Sequence, residues 1–194
     1  MEKKIILASK SPRRIELLTK AGFDVVVMPA DIEERVDPEL KPHEVVMSLA
    51  KQKAYAVRES VYACSNPLSA QTDIIVAADT IVSLDEIIGK PTNVADAEKI
   101  LMHLSGRKHQ VYSGVAILTY NAEIIFAEKT DVFFKPYAAS DIKDYLGTDE
   151  PYDKAGAYAI QGYFGRFIDH IEGDYDNVMG LPVSTLVRYL TPYM

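Results

Sequence analysis

The sequence predicts an α/β protein built on a mixed β-sheet with flanking helices, with α+β as the neighbouring class. Three observations carry this. Short apolar runs of strand length are bounded by turn residues, helical stripes lie between several of them, and two long strand-like segments are separated only by Asn121 and Ala122. Strands and helices mix without strict alternation, which disfavours a doubly wound parallel sheet. At 194 residues, with 48% hydrophobic and 25% charged content, the chain has the composition of a folded protein and the length for one sizeable core. One domain over 1–194, or two intimate lobes, is expected.

"KKIILAS" reads as a short buried strand. "RRIELLTKAGF" follows as a helix with apolar positions Ile15, Leu17, Leu18 and Ala21; Ser11 is placed as N-cap, Pro12 as first helical residue and Gly22 as terminator. "DVVVMPA" is a second strand. A long helix begins near Pro42 and carries Val45, Val46, Leu49 and Ala50 inward, and "CSNPLSAQT" reads as loop. "DIIVAADTIVSL" is strand-like, "DE" a hairpin turn, and "IIGKP" a return strand stopped by its proline.

Helix resumes near Asn93, with Ala97, Ile100, Leu101 and Leu104 on one face and Gly106 beyond its end. "HQVYSGVAILTY" and "EIIFAEKTDVFFKPY" form the long antiparallel pair. "SDIKDYLGT" is a short capped helix, "RFIDHIEG" a strand and "PVSTLVRYL" a closing helix. No internal repeat and no linker rich in Pro, Gly or Ser interrupts the order.

Composition also limits function. A net charge of −7 disfavours sequence-independent nucleic-acid binding, which rests on a surplus of positive surface. The single cysteine, Cys64, has no internal disulfide partner and no zinc-ligand spacing, in keeping with a reducing compartment. No apolar run approaches the roughly 20 residues that span a bilayer, and the segment after "MEKK" is too short for a signal peptide. A cytoplasmic protein without membrane contact is expected.

Four groups of residues stand out. In "LASKSPRR" a strand gives way to a helix start with hydroxyls at Ser9 and Ser11 and guanidinium groups at Arg13 and Arg14, a setting suited to phosphate; solvated arginines behind a simple cap are the alternative. The Walker-type loop pattern is absent, which disfavours a P-loop ATPase. Asp79 sits inside the apolar "VAADTIV", where a carboxylate must be hydrogen-bonded, paired with a cation or bound to metal, unless the strand end simply faces water. Glu34 lies in the acidic run "DIEERVDPE", otherwise a solvated face, and emerges from a strand end as a potential oxygen ligand for a divalent ion. Lys53 and Lys90 are candidate phosphate partners against a background of solvated lysines. "EPYDKAGAYAIQGYFGRFI" reads as an ordered irregular loop.

Together "LASKSPRRIELL", "AADTIV", "GKP", "LSGRKHQVYSGVAI", "EPYDKAGAYAIQG" and "DNVMGLP" closely resemble the Maf family of nucleoside triphosphate pyrophosphatases, over nearly the whole chain. The resemblance implies an inosine-triphosphatase-like fold with a curved mixed sheet, a cleft between two lobes and a homodimer. It implies hydrolysis between the α and β phosphates with a divalent cation, Mg2+ by default and Mn2+ as the alternative. It marks Asp79 as proton acceptor, Glu34, Lys53 and Lys90 around the polyphosphate, Glu34 as metal ligand, Ser9 to Arg14 as the phosphate loop, and Arg13, Thr80 and Gln161 for substrate choice. The "ADT" and "AIQG" forms are similar to the branch acting on dTTP and UTP. A 7-methyl-GTP pyrophosphatase and a non-catalytic nucleotide-binding regulator of cell division remain the alternatives.

Overall fold

The structure is a computed structural model and describes residues 4–64 and 74–193. The "CSNPLSAQT" loop therefore lies almost wholly outside the described residues. Strands β1 (Ile5–Leu7), β2 (Val25–Val27), β3 (Ile74–Ser83), β4 (Ile87–Ile88), β5 (Lys108–Leu118), β6 (Glu123–Phe134) and β7 (Ile168–Glu172) form an open mixed sheet in the order β2-β1-β3-β5-β6-β7, with β4 also paired to β3. β1 runs parallel to both β2 and β3, through Ile5↔Val25 and Ile5↔Ile74, whereas β3–β4 and β6–β7 are antiparallel. The turn between β5 and β6 is closed by the Thr119 N–H on the Ala122 carbonyl at 2.9 Å. So short a connection between paired neighbours permits only an antiparallel hairpin.

The helices are α1 (Pro12–Lys20), α2 (Pro42–Cys64), α3 (Val94–Leu104), α4 (Ala139–Leu146), α5 (Tyr175–Met179) and α6 (Val183–Leu190). Most follow the predicted stripes. α1 buries Leu17 and Leu18, but Ala21 is its exposed C-cap rather than part of the inner face, and Gly22 turns the chain away at φ +87°. Ser11 is the N-cap by backbone geometry, yet its side chain makes no capping bond. α3 is capped conventionally, the Asn93 side chain accepting from the Asp96 N–H at 3.0 Å. α5 had no counterpart in the sequence reading, because five residues are too few to carry a helical stripe.

The described chain divides into two compact units, and the division falls within β3, β5 and β6. The first takes the chain up to Asp79, Ser113–Glu128 and everything from Gly180 onward. Its core joins Ile6 of β1 and Ala8 just past it, Ala50, Ala54, Val57 and Val61 of α2, and Ile75 and Ala77 of β3. The small alanines let α2 lie close on the sheet.

The second unit comprises Thr80–Tyr112 and Lys129–Met179 and has an aromatic core. Phe134 and Tyr158 meet edge-on at 4.9 Å, and Tyr137 meets Phe164 at 5.4 Å. His109, fully buried, places Nε2 2.7 Å from the Tyr158 hydroxyl. Burial pushes its pKa down to about 4, against weaker opposing effects of the Arg107 backbone and Asp131.

This burial predicts an acid sensitivity. An unfolded chain protonates His109 near pH 6.5 while the folded one refuses the proton until about 4. The associated stability is intact above pH 6.5, declines as pH falls through that window and is gone below it, about 3 kcal/mol in all. Urea unfolding at pH 7, 5.5 and 4 should give a flatter pH profile for His109→Gln than for the unsubstituted protein; identical slopes would exclude this origin.

Candidate active site

The first unit gathers six of the marked residues. β1 delivers the chain to Ser9, whose Oγ accepts the Ser11 N–H at 3.2 Å and Arg14 Nη1 at 3.2 Å. Arg14 is drawn inward from the first turn of α1, its Nε donating to the Gly180 carbonyl and its Nη1 to the Ala78 carbonyl, both at 2.8 Å. One guanidinium thus ties the Ser9 turn to the residue before Asp79 and to the chain entering α6. Burial lowers the Arg14 pKa from the ordinary arginine range; the Asp79 charge opposes that shift, Arg13 adds to it and Glu34 opposes it. Arg13 is half-buried beside it.

Asp79 is reached by β3 and meets Lys53 from α2, Nζ to Oδ1 at 2.6 Å. The same ammonium holds Glu34 Oε1 at 2.8 Å. Lys53 and Asp79 are mostly buried, with side chains 15% and 14% exposed, whereas Glu34 is open at 46%. The pairing expected of a carboxylate in an apolar strand is therefore present, and its partner is a lysine whose role the helical pattern alone did not settle.

Glu34 reaches Lys53 from irregular chain, not from a strand end, since β2 stops at Val27. That segment is held by Gln52, which the sequence reading did not single out. Its Nε2 donates to the Arg35 carbonyl at 2.8 Å and its Oε1 accepts the Arg35 N–H at 3.1 Å. A side-chain amide mimicking a strand partner leaves no periodic signal in sequence. Lys51, two residues before Lys53, anchors the outer side of α2 through Glu123 at 2.9 Å, and the Tyr55 hydroxyl donates to the same carboxylate.

Three cations, Arg13, Arg14 and Lys53, thus stand against two carboxylates at the start of α1. No acidic residue occupies the first turn of that helix. This is a setting for a polyanion, and Asp79 adds a carboxylate able to accept a proton.

The other marked residues belong to the second unit. Thr80, half-buried, follows Asp79 on β3, Lys90 is exposed just past β4, and Gln161 is exposed in a turn. The stretch read as an irregular loop is a series of single 3₁₀ turns at Glu150–Asp153, Ala155–Ala157 and Tyr163–Phe167, and Gln161 precedes the last.

A family model described as Maf-like protein matches residues 4–193. The chain belongs to the Maf family. A dTTP/UTP pyrophosphatase of Bacillus cereus (strain ATCC 10987 / NRS 248) is 45% identical over 192 residues, covering 98% of this Maf chain and 90% of its own length. One of Bacillus mycoides (strain KBAB4) is 43% identical over 192 residues, covering 98% and 96%. Among solved structures, the Staphylococcus aureus Ham1 protein matches with a TM-score of 0.52 at 15% identity, covering 99% of this chain and 100% of that one. The Maf chain thus has a Ham1-like fold, the inosine-triphosphatase-like arrangement implied by its motifs.

Proposed function

We propose that this Maf protein hydrolyses dTTP and UTP, with modified pyrimidine nucleotides as further substrates, to the monophosphate and pyrophosphate, limiting incorporation of unwanted nucleotides. The observation that carries the reading is the Lys53 ammonium shared by Asp79 and Glu34 beside the Arg14-anchored loop. The names of relatives at 45% and 43% identity support pyrimidine triphosphates over 7-methyl-GTP. A mostly buried carboxylate among cations supports catalysis over simple nucleotide binding.

The start of α1, with Ser9 and Arg13, draws the phosphates in; Arg14 keeps that loop in register with Asp79. Lys53 shifts its ammonium toward the incoming phosphate, with Lys90 as a second cation for the leaving group. A carboxylate oxygen of Asp79 is then released to take a proton from the attacking water. The water oxygen bonds to the α-phosphorus as the bond to the α–β bridging oxygen breaks, and its electron pair leaves with pyrophosphate. Arg13, Thr80 and Gln161 serve substrate choice.

Among the described residues no group of three or more His, Cys, Asp or Glu stands ready to hold a metal ion. Two carboxylates gathered on one ammonium nevertheless fit Mg2+, or Mn2+, which takes few carboxylates and completes its shell with water and phosphate oxygens. Glu34 would hold it, with Asp79 as a second donor, and when bound it supplies neutralisation of phosphate charge. The reading includes a homodimer in the cytoplasm, which the motif resemblance and the single cysteine support; among the described residues no helix is long and apolar enough to cross a membrane.

The test is pyrophosphate release from dTTP, UTP, CTP, GTP and 7-methyl-GTP. dTTP and UTP should be turned over well and purine triphosphates poorly. Gln161→Glu should lower kcat/KM for dTTP by about ten- to a hundredfold, because the O4 acceptor of the base then faces a carboxylate. A preference for 7-methyl-GTP, or five unchanged ratios in the variant, would overturn the assignment.

A further inference from the structure

Lys90 is exposed just past a strand of only two residues, and its ammonium can be aimed only as well as the backbone beneath it is fixed. One side is settled locally. Pro91 is buried, locks its own φ and disfavours helical backbone at Lys90. The other side is Gly89, which has no atom within 4 Å of where its Cβ would stand and is the soft joint of this segment.

That joint is closed by a distant part of the chain within the same unit. The Gly156 N–H, in the 3₁₀ turn Ala155–Ala157, donates to the Gly89 carbonyl at 3.1 Å. Gly156 lies in the left-handed region at φ +71°, and a Cβ there would stand 2.8 Å from Val82 Cγ2 and 3.2 Å from Val82 Cβ. Val82 is buried in β3 and is the ladder partner of Ile88, the residue before Gly89. Its side chain branches at Cβ, so it has little freedom to turn aside. Gly156 thus meets the end of β4 twice, by hydrogen bond and by close approach.

The turn is itself held in a costly conformation. Ala157, fully buried, has φ +59°, where a residue with a Cβ is disfavoured. From α4 the Tyr145 hydroxyl, which also meets the Glu150 carboxylate, donates to the Ala157 carbonyl at 2.9 Å. From β5 His109 Nε2 holds the next residue, 2.7 Å from the Tyr158 hydroxyl. Such a backbone persists only where its surroundings over-determine it, and it clusters at functional sites.

We infer that Gly156 is a positioning residue for the reaction, fixing the backbone at Gly89 so that Lys90 presents its ammonium to the leaving pyrophosphate. The inference rests on the reading of Lys90 as the cation for the leaving group. A cation that meets charge as it develops lowers the barrier only while it is in place, so loss of its mount should appear in kcat more than in KM.

Pyrophosphate release from UTP by the full-length protein tests this in Gly156→Ala, Lys90→Ala and the double variant, with a thermal melt of each. Gly156→Ala should lower kcat about tenfold and leave KM within about twofold. In the Lys90→Ala background the same substitution should cost less than about twofold in kcat, because no ammonium is left to aim, while its drop in melting temperature should be equal in both backgrounds. Tyr145→Phe, which releases the Ala157 carbonyl, takes the place of Gly156→Ala in the same comparison if the alanine variant does not fold. An equal kcat loss in both backgrounds means a general loosening of the unit and overturns the inference, as does an unchanged kcat in Gly156→Ala; in either case the reading of Lys90 stands if Lys90→Ala is slow. If Lys90→Ala keeps its kcat, that reading fails and the inference fails with it.

Discussion

Asp79→Asn is expected to fold normally and to lose turnover by two to four orders of magnitude, roughly the span attributable to a general base. The variant keeps the size of the side chain and an oxygen that can accept the Lys53 ammonium, now 2.6 Å from Asp79 Oδ1. Lys53 also retains Glu34 at 2.8 Å, so the substitution strands no buried charge. What the amide cannot do is take a proton from water. Single-turnover pyrophosphate release, with a thermal melt as control, separates chemistry from folding. Near-wild-type turnover would remove Asp79 from the mechanism.

Gly114→Ala should have the largest effect on stability. A Cβ at this position of β5 would stand 2.3 Å from the carbonyl carbon and oxygen of Val46 and 2.6 Å from the Met47 nitrogen. These are backbone atoms of α2, which no rotamer change can move aside. Either the helix lifts from the sheet or the strand retreats, and the close seat of Ala50 and Ala54 opens with it. We expect a cost of about 3 kcal/mol, at the upper end of overpacking, and a melting temperature lower by roughly 10 °C. Activity should fall as well, since the displaced helix carries Lys53 to Asp79 and Gln52 to Arg35. A melting temperature within about 2 °C of the unsubstituted protein would mean that α2 is not seated as described.

The two expected effects differ in how readable they were. Asp79 announced itself, because an ionisable residue inside "VAADTIV" violates an apolar pattern and demands a partner. The partner did not. Lys53 occurs in a helix with other lysines, and only its packing distinguishes it from Lys51, which reaches Glu123 on the outer side. Glu34 was legible as an acid near β2 but not as a residue brought back by Gln52, since that amide clamp joins positions 17 apart in sequence without any repeating pattern.

Arg14 teaches the same distinction from the other side. Its place behind "SKSP" marked an anion-binding helix start, and the helix is there. Its hydrogen bonds, however, go to Ser9 and to the carbonyls of Ala78 and Gly180, which assigns it to holding the loop rather than to facing solvent. Backbone carbonyls carry no residue identity, so their use as anchors leaves no trace in composition or spacing.

By itself the sequence determined the elements and the family: apolar periodicity, turn residues and glycine stops mark local structure because they act over one or two turns, and ordered motifs over nearly the whole chain place it among the Maf proteins. Tertiary structure decided which charges meet. Lys53 with Asp79 and Glu34, Arg14 with Gly180, and Gly156 with Gly89 are contacts whose energies depend on distance in space, and those distances arise only when α2, β3 and the 3₁₀ turns have packed.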